Sequence, residues 1–213
     1  MEKIMQHSSF YSAEGRYRVI DSILDEQTCQ QAIELLDDSD DWTIAQVTDN
    51  GSSYLVMPTI RRQKIIEKED ADEVVSALLD KVEKAALSQA ETDGLDPEKI
   101  NVSMSQLIRS DISDFFIWHA DSKPHLPRLR SYLFFFNDDY IGGDIEFWNG
   151  EGAEPIIKHV EAGSCLSYDS LVHSRHHKVL RGTLFAVLVV VGRNKEAQTK
   201  YEQERQAEED SSS

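Results

Sequence analysis

Two residues near the middle of the chain have the types and spacing of a metal-binding pair. In Phe115-Phe116-Ile117-Trp118-His119-Ala120-Asp121 an imidazole and a carboxylate sit two apart, so on an extended strand both leave the same face. Placed that way they can share one ion. A second imidazole from a distant strand would complete a 2-His-1-carboxylate set, which leaves open positions on Fe(II) for a bidentate ligand and for O2. The donors on offer are His173, His176 and His177, all within Leu171-Val172-His173-Ser174-Arg175-His176-His177-Lys178-Val179. A His-x-Asp pair alone equally describes two hydrogen-bonded surface residues, so the surrounding elements must carry the argument.

The elements that would position these groups fall into two regions. Residues 18–24 alternate as a short strand, and Asp25-Glu26-Gln27-Thr28 is a helix start for residues 29–36. Asp37 to Asp41 is an acidic stop, and the stretch through Gly51-Ser52-Ser53 reads as strand and loop without recognisable chemistry. Val75, Leu78, Leu79, Val82 and Ala86 repeat at helical spacing and predict a helix over 70–93, closed by Asp93-Gly94. After Pro97 the texture changes to short β segments at 102–109, 115–120, 131–137, 144–148, 156–160, 164–168, 172–179 and 183–191. Helices first and strands afterwards predict an α+β chain on a β-sandwich or jelly roll. A single domain over 1–193, with its core from about residue 100, and a frayed polar tail over 194–213 complete the expected organisation.

Composition bounds the function. The 213 residues, 40% of them apolar, suit one soluble domain that buries about 70% of its unfolded surface. With 39 acidic against 22 basic residues the net charge is -17, which excludes a whole-molecule field attractive to phosphate backbones and makes nucleic acid a poor partner. The longest apolar run, 184–191, is far shorter than the roughly 18 residues of a membrane span. Met1 to His7 form no apolar secretory signal, and Cys29 and Cys165 are two distant cysteines, so a cytoplasmic location and no cysteine-bound metal are expected.

From about Tyr17 to Arg193 the chain resembles the prolyl-4-hydroxylase-like group of Fe(II)/2-oxoglutarate dioxygenases. The opening Val19-Ile20-Asp21-Ser22-Ile23-Leu24-Asp25-Glu26-Gln27-Thr28-Cys29 is similar to that family's first strand and helix. Gln106-Leu107-Ile108-Arg109 through His119-Ala120-Asp121 resembles its first metal motif. The most specific block is Arg128-Leu129-Arg130-Ser131-Tyr132-Leu133-Phe134-Phe135-Phe136-Asn137-Asp138-Asp139-Tyr140-Ile141-Gly142-Gly143-Asp144-Ile145-Glu146-Phe147, with its Asn-Asp turn and Gly-Gly-Asp hairpin. Glu161-Ala162-Gly163-Ser164-Cys165-Leu166-Ser167-Tyr168-Asp169-Ser170 resembles the Gly-led strand before the distal His.

The resemblance implies a double-stranded β-helix (jelly-roll) core, Fe(II) bound by His119, Asp121 and a distal His, 2-oxoglutarate as cosubstrate, O2, and ascorbate as a candidate reductant. Ungapped comparison from Gly163 to Gly182 puts the family's distal His at Ser174, so His173 is the first choice and His176 the second. His177 best matches a His-x-Val pattern. The family's 2-oxoglutarate arginine falls on Leu184, which leaves Arg181 as the preferred carboxylate partner and Arg109, Arg128 and Arg193 as reserves. The implied activity is hydroxylation of an unactivated C–H bond, since Asp121 stands where halogenating relatives lack a carboxylate. The implied substrate is an amino acid, peptide or protein carrying a prolyl or other target residue, and the acidic surface suits a basic one. The alternatives are a small-molecule biosynthetic hydroxylase and a jelly-roll binding module that has lost turnover.

Overall fold

The computed structural model describes residues 11–49, 53–123 and 126–211. Met1 to His7, Gly51-Ser52 and Ser212-Ser213, on which some of the expectations above bear, lie outside them. The chain opens with β1 (Tyr17–Ile20) and α1 (Glu26–Asp37). Next come β2 (Thr43–Ile44), β3 (Val47–Asp49), β4 (Ser53–Leu55), β5 (Arg61–Arg62), β6 (Lys64–Glu67) and α2 (Glu73–Thr92). The second half carries β7 (Ile100–Ser110), β8 (Phe115–His119), β9 (Arg128–Phe135), β10 (Ile141–Gly142), β11 (Ile145–Phe147) and β12 (Ile156–Lys158). It closes with β13 (Cys165–Asp169), β14 (Ser174–His176), β15 (Val179–Arg181), β16 (Leu184–Arg193) and α3 (Lys195–Ser211).

Both early helices begin where the sequence places a capping carboxylate. Asp25 accepts from the backbone N–H of Thr28 at 2.6 Å, and Asp72 from that of Val75 at 2.8 Å. Two antiparallel sheets form the jelly roll, one ordered β1-β13-β9-β16-β7-β6-β2 and the other β12-β11-β14-β8-β5. The larger sheet is covered on both faces. Along β9 and the residue after it, Tyr132, Phe134 and Phe136 pack toward Leu79, Val82 and Ala86 of α2, while Leu133 and Phe135 turn inward to Ile145 and Phe147 of the smaller sheet. β16 divides the same way, Val187, Val189 and Val191 toward the helices and Leu184, Ala186, Leu188 and Val190 inward.

Two expectations need correction. The single strand over 172–179 is broken: β14 pairs with β8 and β11, whereas β15 pairs with β10, and His177 crosses the gap with its N–H on the carbonyl of Asp144. The polar run after Arg193 is helical rather than frayed. Asn194 caps it by accepting from the N–H of Ala197 at 3.0 Å, and the Arg193 guanidinium lies 4.0 Å over the Tyr201 ring. No described helix is long and apolar enough to cross a membrane. Cys29 and Cys165 are buried free thiols.

Candidate metal centre

The smaller sheet brings β8 and β14 side by side, with Ser174 opposite His119 and His176 opposite Phe116. Four residues of β8 thus face three of β14, and this bulge turns Phe116 onto the face of His119, with ring centroids 3.6 Å apart. The His176 ring is 5.8 Å from that of His119. Nδ1 of His119 is 2.9 Å from the carbonyl oxygen of Ile117. A carbonyl only accepts, so Nδ1 carries the proton and the lone pair sits on Nε2. Nε2 in turn lies 3.6 Å from Oδ1 of Asp121.

The other carboxylate oxygen is already engaged. Oδ2 of Asp121 accepts from the hydroxyls of Ser131 at 2.6 Å and Tyr168 at 2.8 Å, while its backbone carbonyl accepts from Arg128 at 2.9 Å. Two acceptors, a neutral imidazole nitrogen and a carboxylate oxygen, therefore face each other with Oδ1 left over. A cation between them resolves that repulsion. The hydroxyl pair orients the carboxylate, and partners of this kind typically carry 10–100-fold in metal affinity. Tyr168→Phe is accordingly expected to weaken Fe(II) binding by about 10-fold without unfolding the protein, as read by anaerobic metal titration.

Burial pushes both His119 and His176 below the ordinary 6.5, His176 furthest, with help from the charges of His119 and Arg61. Both are then the neutral, ligating form at pH 7. An unfolded chain with ordinary histidines binds more protons than this fold below pH about 6.5. Their contribution to stability is thus complete above that value and is lost as pH falls below it. Urea midpoints of the metal-free protein should fall from pH 7 to pH 5, with a shallower slope in His176→Gln.

The structure separates the three distal candidates. Ser174 and His176 share the inward face of β14. His173 lies just outside the strand, where its Nδ1 accepts from the backbone N–H of Tyr11 at 3.3 Å. His177 turns outward, its Nε2 2.6 Å from Oε2 of Glu146, which also takes Nε of Arg175 at 2.8 Å. His176, the second choice from sequence, is the imidazole that meets His119. Among the described residues no three His, Cys, Asp or Glu side chains converge closely enough to hold an ion as they stand. The donor set nevertheless fits a 2-His-1-carboxylate centre in kind, with His119 and Asp121 paired and His176 facing them.

The arginines are redistributed as well. Arg181 is exposed on the β10–β15 ladder, outside the sheet that carries His119 and His176. Arg109 pairs with Asp111 at 3.0 Å, Arg128 holds the Asp121 backbone, and Arg193 stacks on α3. Leu184 belongs to the apolar inner face of β16. The buried cation beside the site is Arg61 of β5, 7% exposed and 4.8 Å over the Phe116 ring. Its neighbour Gln63 accepts from Arg61 Nε at 3.0 Å and places its own Nε2 3.4 Å from Nδ1 of His176. Sequence reasoning passed over both. Arg61, Gln63 and Ile65 form one buried period-2 face, but the intervening Arg62 and Lys64 are also polar, so no contrast in polarity displays it.

This architecture can be compared with known proteins. No family model matches the sequence, and no curated protein matches it. Solved structures do match. A prolyl hydroxylase from Trichoplax adhaerens, in complex with a hypoxia inducible factor oxygen degradation domain peptide fragment, superposes with a TM-score of 0.69 at 14% identity, over 85% of each chain. A 2OG-Fe(II) oxygenase family oxidoreductase from Burkholderia pseudomallei gives 0.66 at 10% identity, over 85% of this chain and 87% of its own. HygX from Streptomyces hygroscopicus, with nickel and 2-oxoglutarate bound, gives 0.61 at 8% identity, over 89% and 85%. The fold is that of the 2-oxoglutarate–Fe(II) oxygenases. Within this oxygenase fold, His119, Asp121 and His176 lie on β8, just after it, and on β14.

Proposed function

We propose that the protein is an Fe(II)- and 2-oxoglutarate-dependent dioxygenase that hydroxylates an unactivated C–H bond of a prolyl or other amino-acid residue in a peptide or protein. The observation that carries this reading is the unresolved acceptor pair, His119 Nε2 facing Asp121 Oδ1 at 3.6 Å in a largely buried site. His119, Asp121 and His176 would hold the iron. When bound, Fe(II) with 2-oxoglutarate supplies the O2 activation that inserts one oxygen atom into C–H and the other into succinate, with release of CO2.

The chain's own residues do the rest. Ser131 and Tyr168 hold one oxygen of Asp121 so that the other stays directed at the ion. The Ile117 carbonyl keeps the Nε2 lone pair of His119 available, and Phe116 stacked on that ring shields it from water. A peptide target is supported by the Trichoplax neighbour, which was solved with a peptide, and a basic one by the net charge of -17. The test is succinate formation from 2-oxoglutarate under Fe(II) and air against a panel of basic, proline-containing peptides. Peptide-stimulated succinate is the expected result; the absence of any Fe(II)-dependent succinate would overturn the proposal.

A further inference from the structure

Glu67 ends β6 on the side of the strand that faces the barrel interior. Ile65, of the same parity, packs between the two sheets, whereas Ile66 packs toward the helices. Gln106, the ladder partner of Glu67, is inward like Ile108 on the same strand. One inward step along β7 from Gln106 is Met104. It lies in register with Val190 and, through it, with Ser131, whose hydroxyl holds Asp121. Arg128 spans that row, with Nη1 on the Asp121 carbonyl and Nη2 3.7 Å from Sδ of Met104. Glu67 therefore stands on the interior wall beside the metal centre.

Half-buried there, the Glu67 carboxylate has no hydrogen-bond or ion-pair partner among the described residues. The nearby donors are engaged elsewhere. Arg61 donates to Gln63 and Gln106, the Gln106 amide donates to Met104, and Arg128 holds the Asp121 backbone. Lys68, next in sequence, is taken by Asp80 and Glu83 at 2.6 Å each. Burial raises the Glu67 carboxyl above its ordinary value, and the charges of Arg61 and Arg128 offset only part of that. A desolvated carboxylate in this position is stabilised by a donor that arrives with charge. We propose that Glu67 is a specificity-determining residue that takes the cationic group of a lysyl or arginyl side chain lying beside the residue to be oxidised. The inference rests on the peptide-oxygenase reading above and deepens it: the preference for a basic substrate resides in one carboxylate inside the barrel. Dispersed surface charge is screened by salt, whereas a fixed, partly desolvated carboxylate at short range is not.

The experiment is calorimetric binding of the peptide Gly-Lys-Pro-Lys-Gly, and of its counterpart with both lysines acetylated, at roughly 0.15 M salt. The protein is the full-length chain, loaded anaerobically with Fe(II) and 2-oxoglutarate. The wild type should bind the lysine peptide roughly 10-fold more tightly. Glu67→Gln should reduce that affinity to the level of the acetylated peptide, while 2-oxoglutarate, read by its visible metal-to-ligand band, binds within about threefold of the wild type. Glu69→Gln removes the same charge from an exposed neighbour and should retain the preference. Equal binding of the two peptides by the wild type, or binding of neither, overturns the proposal. So does equal weakening of both peptides, or of 2-oxoglutarate, in Glu67→Gln, the mark of a carboxylate that only offsets Arg61 and Arg128. A preference lost as fully in Glu69→Gln as in Glu67→Gln would assign it to the general field and overturn it too. The activity reading fails separately, by the absence of Fe(II)-dependent succinate, so binding and turnover tell the two failures apart.

Discussion

His176→Ala should lower 2-oxoglutarate turnover by about three orders of magnitude and remove most Fe(II) binding, while His173→Ala and His177→Ala stay within about threefold of the wild type. The asymmetry follows from strand parity. β14 presents Ser174 and His176 to the interior, and the His176 ring lies 5.8 Å from that of His119. His173 spends its Nδ1 on the Tyr11 backbone, and His177 sits against Glu146 on the outer face. Succinate release and anaerobic Fe(II) titration of the three variants check this directly. Loss of metal in His173→Ala with retention in His176→Ala would reverse the assignment.

Gly142→Ala should cost about 3 kcal/mol of stability and lower Tm by roughly 6–12 °C in calorimetry. Gly142 has φ +78°, and an added Cβ would run into the carbonyl oxygen of Lys178 and come within 3.1 Å of the Leu180 nitrogen. Both obstacles are backbone of the partner strand and its approach, so neither side chain rotation nor water can relieve them. Strain and contact are thereby combined. Gly94→Ala provides the comparison: φ is +86° there as well, yet nothing lies within 4 Å of the added carbon, so only the backbone penalty of about 1 kcal/mol is expected.

Much of the fold was legible because its period-2 and helical patterns are strong. The α2 stripe, the positive φ of Gly142 and Gly143 and the β core after Pro97 all follow from residue types, but the glycines do not close the expected hairpin, since β11 pairs with β12 and β14 rather than with β9. The proximity of His119 and Asp121 was legible from their spacing, although Asp121 lies just past the end of β8 and not on the strand itself. The distal histidine was not. Three imidazoles fall within five residues, and their roles depend on a bulge opposite β8 and on a break between β14 and β15 that no local pattern marks. Arg61 was hidden differently, in a short strand whose buried and exposed faces are both polar, so that only its tertiary partners Gln106, Phe116 and His176 disclose it. The helical tail was missed because its composition is that of a solvated segment, while its stability comes from the Asn194 cap and the Arg193–Tyr201 stack.

The central claim, an iron site made by His119, Asp121 and His176 on an oxygenase fold, is tested most directly by an iron-edge anomalous difference map from crystals grown anaerobically with Fe(II) and 2-oxoglutarate. The account predicts one strong peak bonded to those three side chains. A peak on His173 or His177 in place of His176, or none beside His119, would contradict it.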